Sequence, residues 1–238
     1  MNTKQKVSNN FGLHGWLIII FFGVMLFLNS SLTADGMNII IPTLAGKLGL
    51  DSAQMLSLNG IGGWIGVVGA FVLSALVQKL GAKKVIIGSL VIVAASFLAL
   101  AFITNMAGWA VCTILINVFA NGMSFCGGSA LIASWFPTKK GMAMGWATMG
   151  NNMASAIFIP IFSILLGSGI NMPFYGYFIF MVVMVVLAFL IVRNNPEDFG
   201  LLPDNDPASV ETVKAMKAEM AAYKSPWTIG RILKDKDV

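Results

Sequence analysis

Charged residues are missing from two long stretches of this chain, and this restricts the folds available to it. No Asp, Glu, Lys or Arg occurs between Val85 and Thr138 or between Gly141 and Val192, so each uncharged stretch exceeds 50 residues. Such stretches cannot coat a water-soluble globule, since only 11% of the 238 residues are charged, against about 25% in ordinary soluble domains. The sequence therefore excludes a soluble enzyme, a secreted disulfide scaffold and a disordered tail.

Six apolar stretches are long enough to cross a bilayer, which takes about 20 residues of helix. They are Trp16–Ile41, Met55–Val77, Val85–Ile103, Trp109–Trp135, Met142–Leu166 and Pro173–Val192. We therefore predict an all-α membrane protein in which residues 1–192 form a bundle of six transmembrane helices and residues 193–238 form a tail. The first stretch is too long for a signal peptide, and five more spans follow it.

Basic residues cluster in the loops on one side of this predicted bundle. Those loops hold eight basic residues, whereas the opposite side holds Lys47 alone. Because basic loops favour the cytoplasm, we expect both termini and the tail to be cytoplasmic, in a protein of the plasma membrane. The net charge of +5 is explained by this topology, so no nucleic-acid partner is expected. The eight residues are Lys4, Lys6, Lys79, Lys83, Lys84, Lys139, Lys140 and Arg193.

The sequence resembles itself when it is shifted by 86 residues. The shift places Ala34–Met37 on Ala120–Met123, and it carries spans one to three onto spans four to six. Repeat one is then about 12–104 and repeat two about 105–192. Three spans are an odd number, so the two repeats must be inverted relative to each other, which is a known transporter construction.

Polar side chains inside the predicted spans mark a candidate cavity. Asp35 is the one acidic or basic residue well inside a span, where an ionised carboxylate is costly unless it is paired, wetted or protonated. We expect it to face the bundle interior or a water-filled cavity, as a proton- or cation-coupling site, a substrate contact or a hydrated structural carboxylate. Other span amides, including Asn29 and Asn59, can bind helix to helix. The candidate substrate or coupling residues are Ser31, Asp35, Asn38, Asn117, Asn121, Ser124, Asn151 and Asn152.

Glycines give two of the spans thin faces. Gly62 and Gly66 in span two, and Gly141 and Gly145 at the start of span five, have the spacing GxxxG, which lets helices approach closely. We expect spans two and five to pack against each other there, and we expect Pro160 to kink span five.

The sequence contains no motif of a catalytic centre. It has one histidine, no phosphate-binding Gly-Lys-Ser/Thr loop and no metal-ligand cluster. We expect neither enzymatic activity nor a cofactor nor a bound metal.

The loop after span two resembles the pattern Gly-x-Leu-x-Asp-Arg-x-Gly-Arg-Arg/Lys. Ser74 stands at the position of the first glycine, and Gln78 stands at the position of the acid. The remaining positions are kept by Lys79, Gly81, Lys83 and Lys84.

Two further segments also resemble known sequence motifs. Trp135–Gly150 is similar to Trp-Phe-x-x-Arg/Lys-Arg/Lys-Gly-x-Ala-x-Gly, and Arg193–Pro203 is similar to Pro-Glu-x-x-Gly-x-x-Pro. The chain as a whole resembles the N-terminal six-helix half of the major facilitator superfamily. These two segments are closest to its oxalate/formate-antiporter and monocarboxylate branches.

The resemblance implies a secondary carrier that works by alternating access. A small solute, an organic anion or related metabolite, would bind between two six-helix halves, coupled to an ion or to exchange. The sequence offers no buried cation in this half, so the countercharge is expected from the other. In the family the loop acid helps to lock the cytoplasmic gate, and Gln78 replaces that charge. The gate residues carried over are Ser74, Gln78, Lys79, Gly81, Lys83, Lys84, Lys139 and Lys140.

The expected partners are the solute, the lipid bilayer and a second six-helix unit. That unit is either a C-terminal half, on a separate chain or missing from this one, or a second copy of the chain. Residues 207–223 are predicted to form an amphipathic helix, and residues 225–238 resemble the approach to a seventh span. Two alternatives remain open: a six-span homodimeric channel or membrane scaffold, and an inactive fragment of a split transporter.

Overall fold

The structure, a computed structural model, describes residues 10–222. Within these residues six helices are long and apolar enough to cross a membrane, which confirms the expected all-α membrane fold. Lys4, Lys6 and the segment 225–238 lie outside the described residues. The six spans, numbered in chain order, are Gly12–Thr33, Ser52–Leu80, Ala82–Ala99, Met106–Trp135, Lys140–Gly167 and Met172–Ile191.

Interruptions divide several of these spans into shorter helices. In span four a π-helical turn, Gly122–Gly128, separates two α-helices, and in span five a second π-helical turn, Ala154–Phe158, does the same. Two 3-10 turns, Pro196–Phe199 and Pro203–Asn205, follow span six. The α-helices are α1 Gly12–Thr33, α2 Met37–Leu48, α3 Ser52–Leu80, α4 Ala82–Ala99, α5 Met106–Asn121, α6 Ser129–Trp135, α7 Lys140–Asn152, α8 Ile159–Gly167, α9 Met172–Ile191 and α10 Pro207–Ala222.

Span one breaks at Ala34–Gly36, although the sequence predicts a continuous helix as far as Ile41. The backbone N–H groups of Ala34 and Asp35 both donate to the carbonyl oxygen of Ser30, at 3.0 and 2.9 Å. The Ser30 hydroxyl donates to the Asp35 carboxylate at 2.9 Å. Short polar side chains compete in this way with the regular helical bonds, so α1 ends and α2 begins with a new direction.

Helix pairing follows the internal repeat rather than the expected contact between spans two and five. Span two packs along span four, span five packs along span one, and span three packs along span six. The repeat relates span two to span five and span four to span one, so the first two pairings are equivalent. The interruptions of spans one and four correspond as well, since the break at residues 34–36 maps onto residues 120–122, where the π-turn of span four begins. The π-turn of span five has no counterpart, because residues 68–72 lie within the continuous helix α3.

Glycines in span two make room for asparagine side chains of span four. A Cβ on Gly66 would lie 3.0 Å from Asn121 Nδ2 and 3.1 Å from the carbonyl oxygen of Asn117. A Cβ on Gly62 would lie 3.2 Å from Asn117 Nδ2. The GxxxG face of span two therefore accommodates a polar partner, and that partner belongs to span four.

Span five contacts span one through a different glycine from those its sequence pattern highlights. A Cβ on Gly150 would collide with the backbone of Gly23, so the backbones of spans one and five touch here without side chains between them. Gly141 and Gly145 have open space where a Cβ would be built. The prediction that these two glycines form a close contact is not met within the described residues, because span five turns another face to the bundle.

Pro160 lies directly after the π-turn of span five, in the first turn of α8. Proline has no N–H and its ring crowds the preceding turn of a helix, and widened π-turns commonly accommodate such irregularities. The expected disturbance of span five is therefore present, in the form of a π-turn between α7 and α8.

One lysine connects three spans at the end of the bundle opposite the other loop lysines. Lys47 Nζ donates to the carbonyl oxygen of Ala101 at 2.6 Å and to Asn171 Oδ1 at 2.8 Å. Lys47 follows span one, Ala101 follows span three and Asn171 precedes span six. The ammonium group thus holds together elements of both repeats.

The start of the tail folds back on the other end of the bundle. Trp135 Nε1 donates to the carbonyl oxygen of Arg193 at 2.9 Å, and the Asn205 side chain lies against Gly12. The predicted amphipathic helix is present as α10, where Val213 is buried but Met216 is exposed. The last residue of the predicted helix, Tyr223, lies outside the described residues.

Candidate functional site

Asn59 is the centre of a polar network between spans one, two and four. Its Nδ2 donates to the carbonyl oxygen of Thr33 at 3.2 Å, next to the break in span one. Its Oδ1 accepts from Asn117 Nδ2 at 3.1 Å and from Thr113 Oγ1 at 3.4 Å. Asn117 Nδ2 also donates to the carbonyl oxygen of Thr113 at 2.9 Å. Amides in a dry interior need such partners, so this network fixes how the three spans are positioned.

A second amide pair joins spans one and four directly. Asn29 Nδ2 donates to Asn121 Oδ1 at 3.3 Å. Asn29 is buried, whereas Asn121 is partly exposed. The predicted repeat places Asn121 at the position equivalent to Asp35, and both residues are partly exposed.

Asp35 lies in the turn between α1 and α2, rather than in the middle of a continuous helix. It is partly exposed, and its carboxylate accepts from the Ser30 hydroxyl at 2.9 Å. The neighbouring Gly36 is packed against the ring of Phe158 in the π-turn of span five. This arrangement places the carboxylate where two backbone interruptions meet. There it has one hydroxyl partner and is partly exposed.

The remaining predicted cavity residues do not share one helix face. Ser31 and Ser124 are fully buried, and Ser124 Oγ donates to the carbonyl oxygen of Ala120 in its own helix at 2.7 Å. Asn38 is exposed. Ser31, Asp35 and Asn38 recur at the spacing i, i+4, i+7 of one helix face, as do Asn117, Asn121 and Ser124. The break at Ala34–Gly36 and the π-turn Gly122–Gly128 interrupt that helical register.

Ser31 differs from the other buried polar groups. Within residues 10–222 its hydroxyl is the one fully buried side-chain oxygen or nitrogen without a hydrogen-bond partner. Native buried polar groups are nearly always paired, so the Ser31 hydroxyl, one turn before Asp35, is an exception among the buried groups of the described residues.

In span five, the two adjacent asparagines differ in exposure: Asn151 is partly exposed and Asn152 is exposed. They end α7, just before the π-turn. Their role in a cavity stays a prediction. The sequence set omits three residues that the structure connects to it, namely Asn29, Asn59 and Thr113. The spacing of Thr113 and Asn117, which is one helical turn, was the available signal for the last of these.

The predicted gate residues fall into two groups. Most are exposed near the ends of helices α3, α4 and α7, at one end of the bundle, whereas Gly81 and Lys83 are partly exposed and Lys139 is buried. Gly81 has φ +85°, a conformation that favours glycine, and the Lys83 backbone N–H donates to Asn194 Oδ1 at 2.9 Å. The exposed residues are Ser74, Gln78, Lys79, Lys84 and Lys140.

Lys139 contradicts the expectation that this chain offers no buried cation. Its side chain is 5% exposed, and its Nζ donates to the carbonyl oxygen of Asp204 at 3.0 Å. It is buried by the folded-back tail at the end of the bundle, not by the membrane-spanning helices. Sequence reasoning about the spans alone could not place it.

Asp204 is a buried acid that the sequence analysis did not identify. It is 0% exposed and has φ +58°. Its carboxylate accepts from the backbone N–H and hydroxyl of Thr138, at 3.2 and 2.9 Å, and from the backbone N–H of Lys139 at 3.0 Å. These donors precede α7, where unpaired N–H groups and the helix dipole favour a carboxylate. Asp204 therefore fixes the tail to the start of span five.

A groove of about 440 Å³ lies between spans one, five and six. It is lined by apolar side chains such as Trp16, Trp146, Met149, Met153 and Phe180. None of the predicted cavity residues lines it. The groove therefore offers an apolar surface, whereas the polar chemistry is concentrated at spans one, two and four.

No group of three or more His, Cys, Asp or Glu side chains that could hold a metal ion occurs in the part of the chain that the structure describes. The polar groups that spans one, two and four offer to a bound solute or ion are amides, hydroxyls and one carboxylate.

Comparison with known proteins gives one match. The model of the Major Facilitator Superfamily matches residues 12–235, which is nearly the whole chain. No curated protein matches the chain significantly.

Proposed function

The chain belongs to the major facilitator superfamily and is a membrane transporter of that family, and from this we propose that it moves a small solute by alternating access as a secondary carrier. In such carriers the solute binds near the middle of the membrane, between two bundles that rock around it. This chain supplies the spans of one bundle. Asp35 is the proposed coupling carboxylate, and the amides of spans one, two and four are the proposed inner wall of the binding cavity.

The observation that carries this proposal is the position of Asp35. It is partly exposed at the break in span one, it has a single hydroxyl partner, and the unpaired hydroxyl of Ser31 lies one turn away. The Asn59 network holds the neighbouring Thr33 carbonyl. Asp35 directly follows the span Gly12–Thr33, and acidic residues at such places in membrane proteins serve ion pathways and proton relays, so we propose that it binds and releases the coupling proton or cation.

The proposed solute class is an organic anion or related metabolite. This rests on the resemblance of the loops Trp135–Gly150 and Arg193–Pro203 to the oxalate/formate-antiporter and monocarboxylate branches. The one buried lysine of the described residues, Lys139, is occupied by Asp204 at the end of the bundle. We therefore propose that the countercharge for the solute comes from the second six-helix unit.

Span two is the proposed contact surface for that unit. Trp64 and Phe71 are each 76% exposed, and few residues of α3 are buried. Large apolar side chains beside a polar network are typical of a surface that packs against another helical bundle. The occupant would be a second half or a second copy of the chain.

The test is transport by the chain reconstituted in proteoliposomes, alone and together with a second six-helix unit. A panel of mono- and dicarboxylates is supplied under a proton or sodium gradient, and both accumulation and solute exchange are measured. Asp35→Asn should abolish accumulation against the gradient and leave exchange in place. Asp51→Asn is the matched control, because it removes the same charge from an exposed position and keeps a side chain that can cap α3.

The outcomes separate the proposals. Full gradient-driven accumulation by Asp35→Asn would contradict its coupling role. Flux that ignores every gradient would support a homodimeric channel, and stable dimers without flux would support a membrane scaffold.

A further inference from the structure

Two cations converge on one carbonyl oxygen at the end of span six. Lys83 Nζ donates to the carbonyl oxygen of Phe189 at 2.9 Å, and Arg193 Nη1 donates to the same oxygen at 3.0 Å. Arg193 Nη1 also donates to the carbonyl oxygen of Val192 at 3.0 Å. Two like charges that share an acceptor repel each other, and these bonds leave further N–H donors on both groups. An anion between them would relieve the repulsion.

Hydrogen bonds fix the backbone of both residues, and an aromatic ring contacts the Arg193 side chain. The Lys83 backbone N–H donates to Asn194 Oδ1 at 2.9 Å, and the Arg193 carbonyl oxygen accepts from Trp135 Nε1 at 2.9 Å. The guanidinium carbon of Arg193 lies 5.1 Å from the centre of the Phe199 ring, which is a cation–π distance. The pair is therefore part of the folded structure and not two mobile surface charges.

The Asp198 carboxylate, in the 3-10 turn after span six, has a hydrogen-bond partner within that turn. Asp198 Oδ2 accepts from the backbone N–H of Asn195 at 3.3 Å and caps that turn. Within residues 10–222, the hydrogen bonds of the Lys83 and Arg193 side chains go to backbone carbonyl oxygens. The site thus has charge that the described carboxylates do not neutralise through these bonds.

An apolar stripe runs along span six to this cation pair. Its residues recur every three or four positions, which places them on one face of α9. The Arg193 side chain reaches back to the carbonyl oxygen of Phe189, which belongs to this stripe. All residues of the stripe are exposed in the described structure. The stripe consists of Ile179, Val182, Val183, Val186, Phe189 and Leu190.

We propose that Lys83 and Arg193 bind the phosphate of an anionic phospholipid whose acyl chains lie along this stripe. The choice of ligand rests on both features together. A cation pair alone would suit any anion, and an apolar stripe alone would suit any apolar partner. Arg and Lys are the usual phosphate ligands of proteins, and basic residues at the membrane surface attract anionic headgroups. The site lies away from the Asn59 network, so the inference does not depend on the transported solute.

Native mass spectrometry of the full chain in neutral detergent tests the site. The protein is offered phosphatidylglycerol and phosphatidylcholine with identical acyl chains at equal concentrations. The wild type should retain phosphatidylglycerol preferentially, and the double variant Lys83→Gln/Arg193→Gln should lose about tenfold in apparent affinity for it, since each cation contributes to headgroup attraction. Phosphatidylcholine binding should be unchanged.

Two further variants distinguish a built site from general charge. Lys79→Gln/Lys140→Gln removes the same charge from exposed positions at the same end of the bundle and should keep the preference. Lys83→Arg/Arg193→Lys keeps the charges and controls for folding. An equal loss in both glutamine variants, or a wild type without preference, would overturn the proposal. Preferential binding of glycerol phosphate over the lipid, or protection of the stripe by a second protein chain instead of lipid, would also overturn it.

Discussion

Asn117 donates both of its side-chain hydrogens, one to Asn59 in span two and one to the backbone of its own helix. We predict that Asn59→Ala and Asn117→Ala each destabilise the bundle and that their effects are not additive. The coupling free energy in a double-mutant cycle should be about 0.6 kcal/mol, which is the average for interhelical hydrogen bonds in membranes. The measurement is unfolding in mixed micelles at increasing denaturing detergent. Strict additivity would contradict the bond.

Asp204 allows a second prediction at the scale of single residues. Asp204→Asn replaces one acceptor oxygen by a donor, opposite N–H and O–H groups that are themselves donors. Because the site is buried, we expect a loss of about 1–3 kcal/mol in stability and a lower midpoint of thermal unfolding in detergent. Glu211→Gln, on the exposed side of α10, should leave the midpoint within error. Equal effects of the two variants would show that Asp204 is not a cap.

Residue types were easier to predict than residue partners. The amides inside the spans could be identified because polar groups in hydrocarbon are conspicuous, and Asp35 for the same reason. That Asn117 meets Asn59, or Asn121 meets Asn29, depends on the rotation and height of each helix, which the order of residues does not reveal. Asp204 lies in a polar tail, where the sequence does not distinguish one acid from another. Its burial depends on the tail folding back onto the bundle.

At the scale of elements, the contact between spans one and five gives a third prediction. Gly150→Ala should destabilise the bundle by about 1–3 kcal/mol, since its Cβ would collide with the Gly23 backbone and overpacking carries such costs. Gly145→Ala is the matched control in the same helix, because a Cβ there has open space. It should be neutral or slightly stabilising, as alanine is the better helix former. Thermal unfolding of both variants in detergent measures the difference, and a neutral Gly150→Ala would contradict the contact.

The six spans were predictable because their length and hydropathy are set by the bilayer, and each span that was predicted is present. The interruptions were not, with one exception: Pro160 signalled the disturbance in span five. The break at Ala34–Gly36 and the π-turn Gly122–Gly128 arise from local hydrogen bonds that compete with regular helix. The pairing of spans two and four escaped the sequence analysis because a GxxxG face states only that something approaches closely, not which helix does.

At the scale of the whole molecule, orientation in the membrane gives a fourth prediction. In a Cys112→Ala/Cys126→Ala background, Asp51→Cys should react with a membrane-impermeant maleimide in intact cells, whereas Lys140→Cys should react only after permeabilisation. The reason is that basic loops favour the cytoplasm, and an odd number of spans separates the two positions. Both variants must react in permeabilised cells for the comparison to hold. The reverse pattern would contradict cytoplasmic termini.

The predicted repeat would make spans three and six equivalent, but different contacts hold the two ends of the bundle together. At one end the ammonium group of Lys47 donates hydrogen bonds to Ala101 and Asn171. The shift of 86 residues places Ala133 at the position equivalent to Lys47, and an alanine side chain cannot form such bonds. At the other end the folded-back tail, through Asp204 and Arg193, does the fastening. Neutralising the single charge of Lys47 would remove the contacts at the first end. At the second end several separate bonds would have to break one after another. The two ends of the bundle therefore differ in how easily they open.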